Sequence, residues 1–133
     1  MLKQKIDFNK VRKIIINRRI DKLRLEGKDI ETGIITRTQK GVDVKLKKFR
    51  KYSKKTKKLR KELGRKTSKV DLTMSGNMLH AIRSKKIKGG LRFYFISKVE
   101  RDKAHSNQKR GRKFFGLDKL QKKSLNKALS RIR

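Results

Sequence analysis

Among the side chains able to do chemistry, cations dominate: 44 lysines and arginines stand against 11 carboxylates and 2 histidines. The densest run goes from Lys45 to Lys69 and contains Lys47, Lys48, Arg50, Lys51, Lys54, Lys55, Lys57, Lys58, Arg60 and Lys61. A second group, Lys109, Arg110 and Arg112, follows much later. Ammonium and guanidinium groups at this density hold anions. If about eight of them met phosphates, log affinity would fall with log salt at a slope of about −7 on duplex DNA. An acidic protein surface would satisfy the same groups, and a solvated face is the bland reading of any lysine-rich stretch. Cations also spread over the rest of the chain, as Lys119, Lys122, Lys123 and Lys127 show. That spread argues against one dedicated groove and fits a protein set among acidic neighbours.

Catalytic constellations do not emerge. No carboxylate pair stands out for general acid–base work, and His80 and His105 lack ligand-like spacing. His80, beside Leu79, reads as an interface or core-edge residue. Ser75-Gly76 and Gly89-Gly90 fit neither a nucleophile elbow nor a phosphate loop. With no cysteine there is no disulfide and no thiolate metal site. The expectation is a protein that is not an enzyme and needs no cofactor or metal.

The elements that must position these groups follow from periodicity and capping. Asp7 is a candidate N-cap for a helix whose apolar positions are Phe8, Val11, Ile15, Ile16, Ile20 and Leu23. Gly27 is expected to stop or interrupt it, with a second short helical stretch from Asp29 placing Ile30, Ile34 and Ile35 on one side before Gly41. Core or subunit packing is the reading of both stripes; an amphipathic membrane helix is the alternative. Residues 42 to 52 have no period, and Phe49 and Tyr52 are expected to pin that crossing onto the core. Ser53 should cap a helix running to Leu63, with Thr56, Leu59 and Leu63 as a narrow stripe and Gly64 beyond its end. That helix is marginal alone, because like charges three and four residues apart repel.

After an extended piece, Val70 to Leu72, a helix capped by Asp71 or Thr73 is expected to bury Met74, Met78, Leu79 and Ile82, with Gly76 inside it. Lys85–Lys88, Gly89-Gly90 and Leu91–Ile96 predict a β-hairpin whose Leu91, Phe93 and Phe95 share a face. Ser97-Lys98-Val99-Glu100 matches a capping box opening a helix toward His105, and Ser106 to Arg112 reads as a polar loop. Asp118 should cap a C-terminal helix with Leu125, Ala128, Leu129 and Ile132 on one face.

These elements give an α+β fold: several helices packed on a small antiparallel β-hairpin, with a long N-terminal helix and a C-terminal helix, in one domain spanning 1-133. Leu72, Met74, Met78, Leu79, Phe93, Phe95, Phe114 and Phe115 are the expected packing or assembly residues. A net charge of +33 in 133 residues penalises the compact state through self-repulsion, so partners or counterions help to hold it. No apolar run approaches the length of a membrane span. Met1–Asp7 has no apolar signal region, and a reducing, soluble compartment is expected.

Three stretches resemble a known family. Ile35-Thr36-Arg37-Thr38-Gln39-Lys40-Gly41-Val42-Asp43, with Phe49 and Tyr52-Ser53, resembles an I-x-R-T-x-x-G-x-D … F-x-x-Y-S pattern. Val70-Asp71-Leu72-Thr73-Met74-Ser75-Gly76-Asn77-Met78-Leu79 resembles a V-D-L-T-x-S-G-x-M-L segment. Lys103-Ala104-His105-Ser106-Asn107, with Arg112-Lys113-Phe114-Phe115-Gly116-Leu117, resembles an A-x-x-H … R-x-F-F-G-L ending. The patterns are those of tailed-phage virion morphogenesis proteins of the tail-completion or head–tail joining type, and the likeness covers residues 30 to 133. The departure lies between Val42 and Tyr52, where Val44-Lys45-Leu46-Lys47-Lys48 stands in place of a glycine-containing turn.

The resemblance implies a structural subunit of the phage neck or tail top, without enzymatic activity. It implies a homo-oligomeric ring of six or twelve copies, with portal, connector and tail proteins as partners and possible contact with DNA in the lumen. The location implied is the virion neck, after assembly in the host cytoplasm. The competing reading from composition alone is an independent nucleic-acid-binding module, ribosome-associated or chromatin-like.

Overall fold

The first element is a single helix, α1, Phe8–Gln39, of 32 residues, about 48 Å long at helical rise. Asp7 caps it as expected, its carboxylate accepting from the amides of Asn9 and Lys10 at 3.0 and 3.1 Å. The computed structural model describes residues 6–72 and 76–131. Gly27 neither stops nor interrupts α1. It is buried at a contact, where an added Cβ would lie 2.7 Å from Ser84 Oγ and 3.3 Å from Leu91 Cδ1. Glycine costs a helix about 1 kcal/mol against alanine, and here that loss is offset by seating the helix on the hairpin.

α1 ends at a turn opened by Gly41, and residues 41–52 fold into a tight crossing. Asp43 organises it, its Oδ1 accepting from the amides of Lys45 and Lys47 at 2.8 and 3.0 Å. The turn forms without a glycine because Leu46 takes the left-handed conformation, φ 62°. Phe49 and Tyr52 are buried, as their position in an aperiodic crossing predicted.

Ser53 caps α2, Lys54–Glu62, by accepting from Thr56 N. The anticipated stripe is a different one. Leu59 and Leu63 are 49% and 56% exposed, and the residue that α2 buries is Arg60. The expected helix over residues 73–82 is also corrected. α3, Asn77–His80, is one turn with Gly76 as a left-handed N-cap, and Ile82 already belongs to a strand. Thr73, Met74, Ser75 and Ile132 lie outside the described residues.

The hairpin consists of β1, Ile82–Ile87, and β2, Gly90–Phe95, paired antiparallel with Ile87 opposite Gly90. The two-residue turn is therefore Lys88-Gly89, one position earlier than Gly89-Gly90, with Gly89 supplying φ 78°. Ser97 caps α4, Lys98–Lys109, which runs past His105 and takes up most of the expected loop. Only the Ser97 half of the capping box forms. Glu100 Oε1 pairs with Lys103 at 3.2 Å and Oε2 is buried without a partner. α5, Lys119–Ser130, opens on a complete capping box between Asp118 and Gln121.

Among the described residues the architecture is thus five helices and one two-stranded antiparallel sheet, an α+β fold. Ile30, Ile34, Phe49, Tyr52, Val70, Leu72, Met78, Leu79, Ile82, Ala104 and Phe114 form the core. Phe93, Phe95, Phe115 and Leu125 pack on it half-buried. Leu72, Met78, Leu79 and Phe114 therefore serve packing within the protomer.

Candidate cationic docking site

Tyr52 is the anchor of the site. Its hydroxyl accepts from Leu72 N at 3.0 Å, holding the end of the 70–72 segment on the crossing. Two guanidinium groups stack near its ring, Arg60 at 4.6 Å and Arg112 at 5.1 Å from the centroid, a geometry in which the ring quadrupole attracts a cation. Burial raises the Tyr52 phenol above its ordinary value, with Asp71 adding to the rise; the Leu72 amide, Arg60 and Arg112 oppose it.

The two arginines are not partner contacts, which corrects the expectation for both. Arg60 is 1% exposed. Its Nε donates to Lys66 O at 2.8 Å and its Nη2 to Asp71 Oδ1 at 2.9 Å. Arg112 is 8% exposed and reaches the carbonyls of Arg50 and Lys51, each at 3.4 Å. Burial lowers the Arg112 pKa, Arg110 and Arg50 lower it further, and Tyr52 opposes them. A charge in that position is tolerable because aromatic and carbonyl dipoles replace water.

Arg112 thereby ties residues 50–51 to residues 110–112, and a polar cleft of about 530 Å³ opens between them. Arg50, Lys51, Lys55 and Arg110 are exposed there, with Ser53 and Thr56 beside them at the start of α2. The partial positive charge of the α2 N-terminus adds to the field of these side chains. Lys47, Lys48, Lys54, Lys58, Lys61 and Lys109 are exposed outside the cleft and Lys57 is half-buried. The sequence-predicted cations thus divide into two in the interior, four around one cleft and the remainder on open surface.

The arrangement can hold an anion electrostatically. The cleft lining has no carboxylate or histidine to move a proton, and Asp71 is engaged by Arg60. His80 and His105 are exposed on different elements. Among the described residues no three His, Asp or Glu side chains group in a way that could hold a metal ion. None of the described helices is long and apolar enough to cross a membrane.

A second surface stands out on α1. The first half of α1 carries Phe8 at 78% exposure, with Val11, Ile14, Ile15 and Ile16 also exposed, whereas Leu23, Ile30 and Ile34 are buried. Burial begins only near Ile20. Of the core or subunit packing expected for this stripe, the protomer itself supplies packing only at the far end, at Leu23, Ile30 and Ile34.

Compared with protein-family models, with curated proteins and with solved structures, the chain has no match.

Proposed function

We propose that this chain is a structural virion protein of the phage neck or tail top, of the tail-completion or head–tail joining type. In this reading it assembles as a ring of six or twelve copies around the DNA channel. The observation that carries the reading is the projecting half of α1, with five large apolar side chains exposed. Burying one such side chain is worth about 1.5–3 kcal/mol. Phe8 is 78% exposed and the other four 41–45%, so burying what remains gives roughly 4–8 kcal/mol gross, at the low end of the cost of association. A protomer with this arm has its natural resting state in an assembly. Acidic portal or tail neighbours, or the threaded DNA, would offset the net charge of +33 and meet the exposed cations of the 50–56 and 110–112 cleft.

The stretches that resemble the phage proteins meet one another, which supports the same reading. Arg37 of the first donates to the carbonyls of Phe114 and Gly116 of the third, at 3.0 and 2.8 Å. Tyr52 of the first holds Leu72 of the second. Asn107 of the third reaches Met78 Sδ of the second at 3.7 Å.

The test is sedimentation and negative-stain microscopy of the purified chain, beside immunogold labelling of virions. Rings in solution and label at the neck are expected. Ile15→Glu with Ile16→Glu should abolish rings while leaving the melting temperature within about 2 °C, since both sites are exposed. A monomer with no ring, or label confined to capsid faces, overturns the proposal.

The cleft favours a second reading, an independent nucleic-acid-binding module. Four exposed cations predict a log–log salt slope of about −3.6 on duplex DNA. Tight monomer binding with that slope, and no rings, would select it.

A further inference from the structure

We propose that the groove between β2 and α4 takes an extended acidic segment of a partner protein as a third strand of the sheet. The register leaves one edge of β2 open. Ile87 faces Gly90 across a two-residue turn, and Ile96 N donates to Ala81 O at 3.0 Å. In a hairpin of this register the hydrogen-bonded pairs alternate. Gly90, Arg92 and Tyr94 therefore turn their main chain toward β1, while Leu91, Phe93 and Phe95 turn theirs away. Among the described residues the main-chain groups of Leu91, Phe93 and Phe95 have no backbone partner.

Sheet edges are ordinarily blunted by short length, charged side chains, proline, a bulge or a covering element; β2 is six residues long and carries one charge, Arg92. The chain has no proline, and the register of β2 runs without a bulge. In place of a cover there is a cleft of about 540 Å³ beside the strand. Phe93, Phe95, Ala104 and Phe115 give it an apolar floor, and Arg92 and Arg101 stand at its rim. Its lining takes residues from both faces of β2, Phe93 and Phe95 on one and Arg92 and Tyr94 on the other, with Lys85 of β1 reaching over the Tyr94 ring, so the cleft wraps the strand edge. The far wall is fixed, because Gln108 of α4 both donates to and accepts from the Phe115 backbone at 3.3 Å.

An unpaired strand edge facing a helix across an apolar cleft is the geometry for strand addition. Main-chain bonds would supply affinity, and alternate side chains would supply choice. Leu91–Phe95 offers about 17 Å of edge. The cationic rim selects the occupant. A second copy pairing β2 to β2 would add two more cations to an already cationic rim, and in the register that sets Arg92 opposite Arg92 like charges face across the strands, which destabilises. The fitting partner is a segment with apolar residues at alternate positions, over the phenylalanine floor, and carboxylates between them, toward Arg92 and Arg101. This goes beyond the neck reading and does not depend on it.

The test uses the full chain and a fluorescein-labelled peptide of alternating valine and glutamate, about eight residues long. Anisotropy is followed in about 0.3 M salt, which screens diffuse attraction to the basic surface. Saturable binding is expected. N-methylation of alternate residues should weaken it about tenfold or more, because ladder bonds are lost while the side chains are kept. Arg92→Glu with Arg101→Glu, both exposed, should weaken it at least about tenfold with an unchanged circular dichroism spectrum. Equal binding of the N-methylated peptide, or of one with its valines and glutamates segregated, overturns strand addition. Unchanged affinity in the double variant overturns the site, and absence of saturation overturns both.

Discussion

Arg60→Met separates the interior of this protein from its binding surface. The guanidinium is fully enclosed, bonded to Lys66 O and Asp71 Oδ1 and stacked 4.6 Å from the Tyr52 ring centroid. Methionine keeps much of the aliphatic volume and removes the charge. Breaking a buried pair by deleting one partner costs about 3–5 kcal/mol. The Asp71 side chain is 20% exposed and recovers some hydration, which puts the loss near the lower end. Losing the ring contact adds about 0.5–1 kcal/mol. The sum is about 3–4 kcal/mol, a large share of the roughly 7–20 kcal/mol total for a chain of this size. At about 4 °C per kcal/mol, the midpoint should fall by about 12–16 °C.

The assay is thermal melting by circular dichroism, run beside filter binding of a short duplex across a salt series. Arg60→Met should lower the midpoint and leave the salt slope unchanged below it. Adding Asp71→Asn should recover part of the loss, since the carboxylate left by Arg60 is then neutral. Lys55→Glu with Arg110→Glu should do the reverse, reducing the slope by about 2 with little change in midpoint. An Arg60→Met protein that melts within about 2 °C of the parent and binds duplex more weakly would refute the assignment of Arg60 to the core.

Two further predictions concern the backbone and the buried phenol. Gly41 has φ +83° with an added Cβ 3.2 Å from Val70 O, whereas Gly64 has φ +69° and nothing within 4 Å. Alanine at Gly64 should cost about 1–2 kcal/mol, the left-handed penalty alone, and alanine at Gly41 measurably more in the same urea titration; equal losses would contradict the close approach. In a Tyr94→Phe protein the remaining phenol, Tyr52, should ionise above the ordinary value of 10.0 when followed by tyrosinate absorbance. Because the folded pKa is raised, the unfolded chain loses its proton first. The phenol's contribution to stability is complete below pH about 10 and is lost as pH climbs through the folded pKa. Ionisation at or below 10 would refute the burial argument.

Local signals read well where a short-range rule decides the structure. Asp7, Ser53, Ser97 and Asp118 cap the helices assigned to them, because an N-cap needs only its own side chain and the amides two or three residues on. The hairpin was visible for the same reason, displaced by one position since Lys88-Gly89 and Gly89-Gly90 are both competent turns. Gly27 misled because its helix penalty is local while its compensation, contact with Ser84 and Leu91, comes from more than fifty residues away in the chain. The cleft was half legible: the abundance of cations was plain, but not which of them would face water. Only the fold brings Arg110 to Arg50 and Lys51.

The arginines that turned inward share one task, and it explains why a chain with this charge buries cations at all. Only 33% of the residues are hydrophobic, and Arg50, Lys51, Lys66, Phe114 and Gly116 lie outside the helices and strands, so their carbonyls have no ladder partners. A buried carbonyl without a donor costs about 1–3 kcal/mol. Arg37 serves Phe114 O and Gly116 O, Arg60 serves Lys66 O, and Arg112 serves Arg50 O and Lys51 O. A guanidinium, with five donors in a rigid fork, can bond several such carbonyls at once where lysine offers a compact point charge. Arg37 was open to discovery, since it continues the face of Ile30 and Ile34 at helical spacing. Arg37→Lys should therefore destabilise although it conserves charge: one ammonium cannot reach Phe114 O, Gly116 O, Asp118 and Gln121 together. Urea unfolding should show a loss of about 2–3 kcal/mol, from at least one carbonyl and one charge-assisted bond. A lysine variant as stable as the parent would mean that charge alone, and not the fork, holds the α1 end to the α5 start.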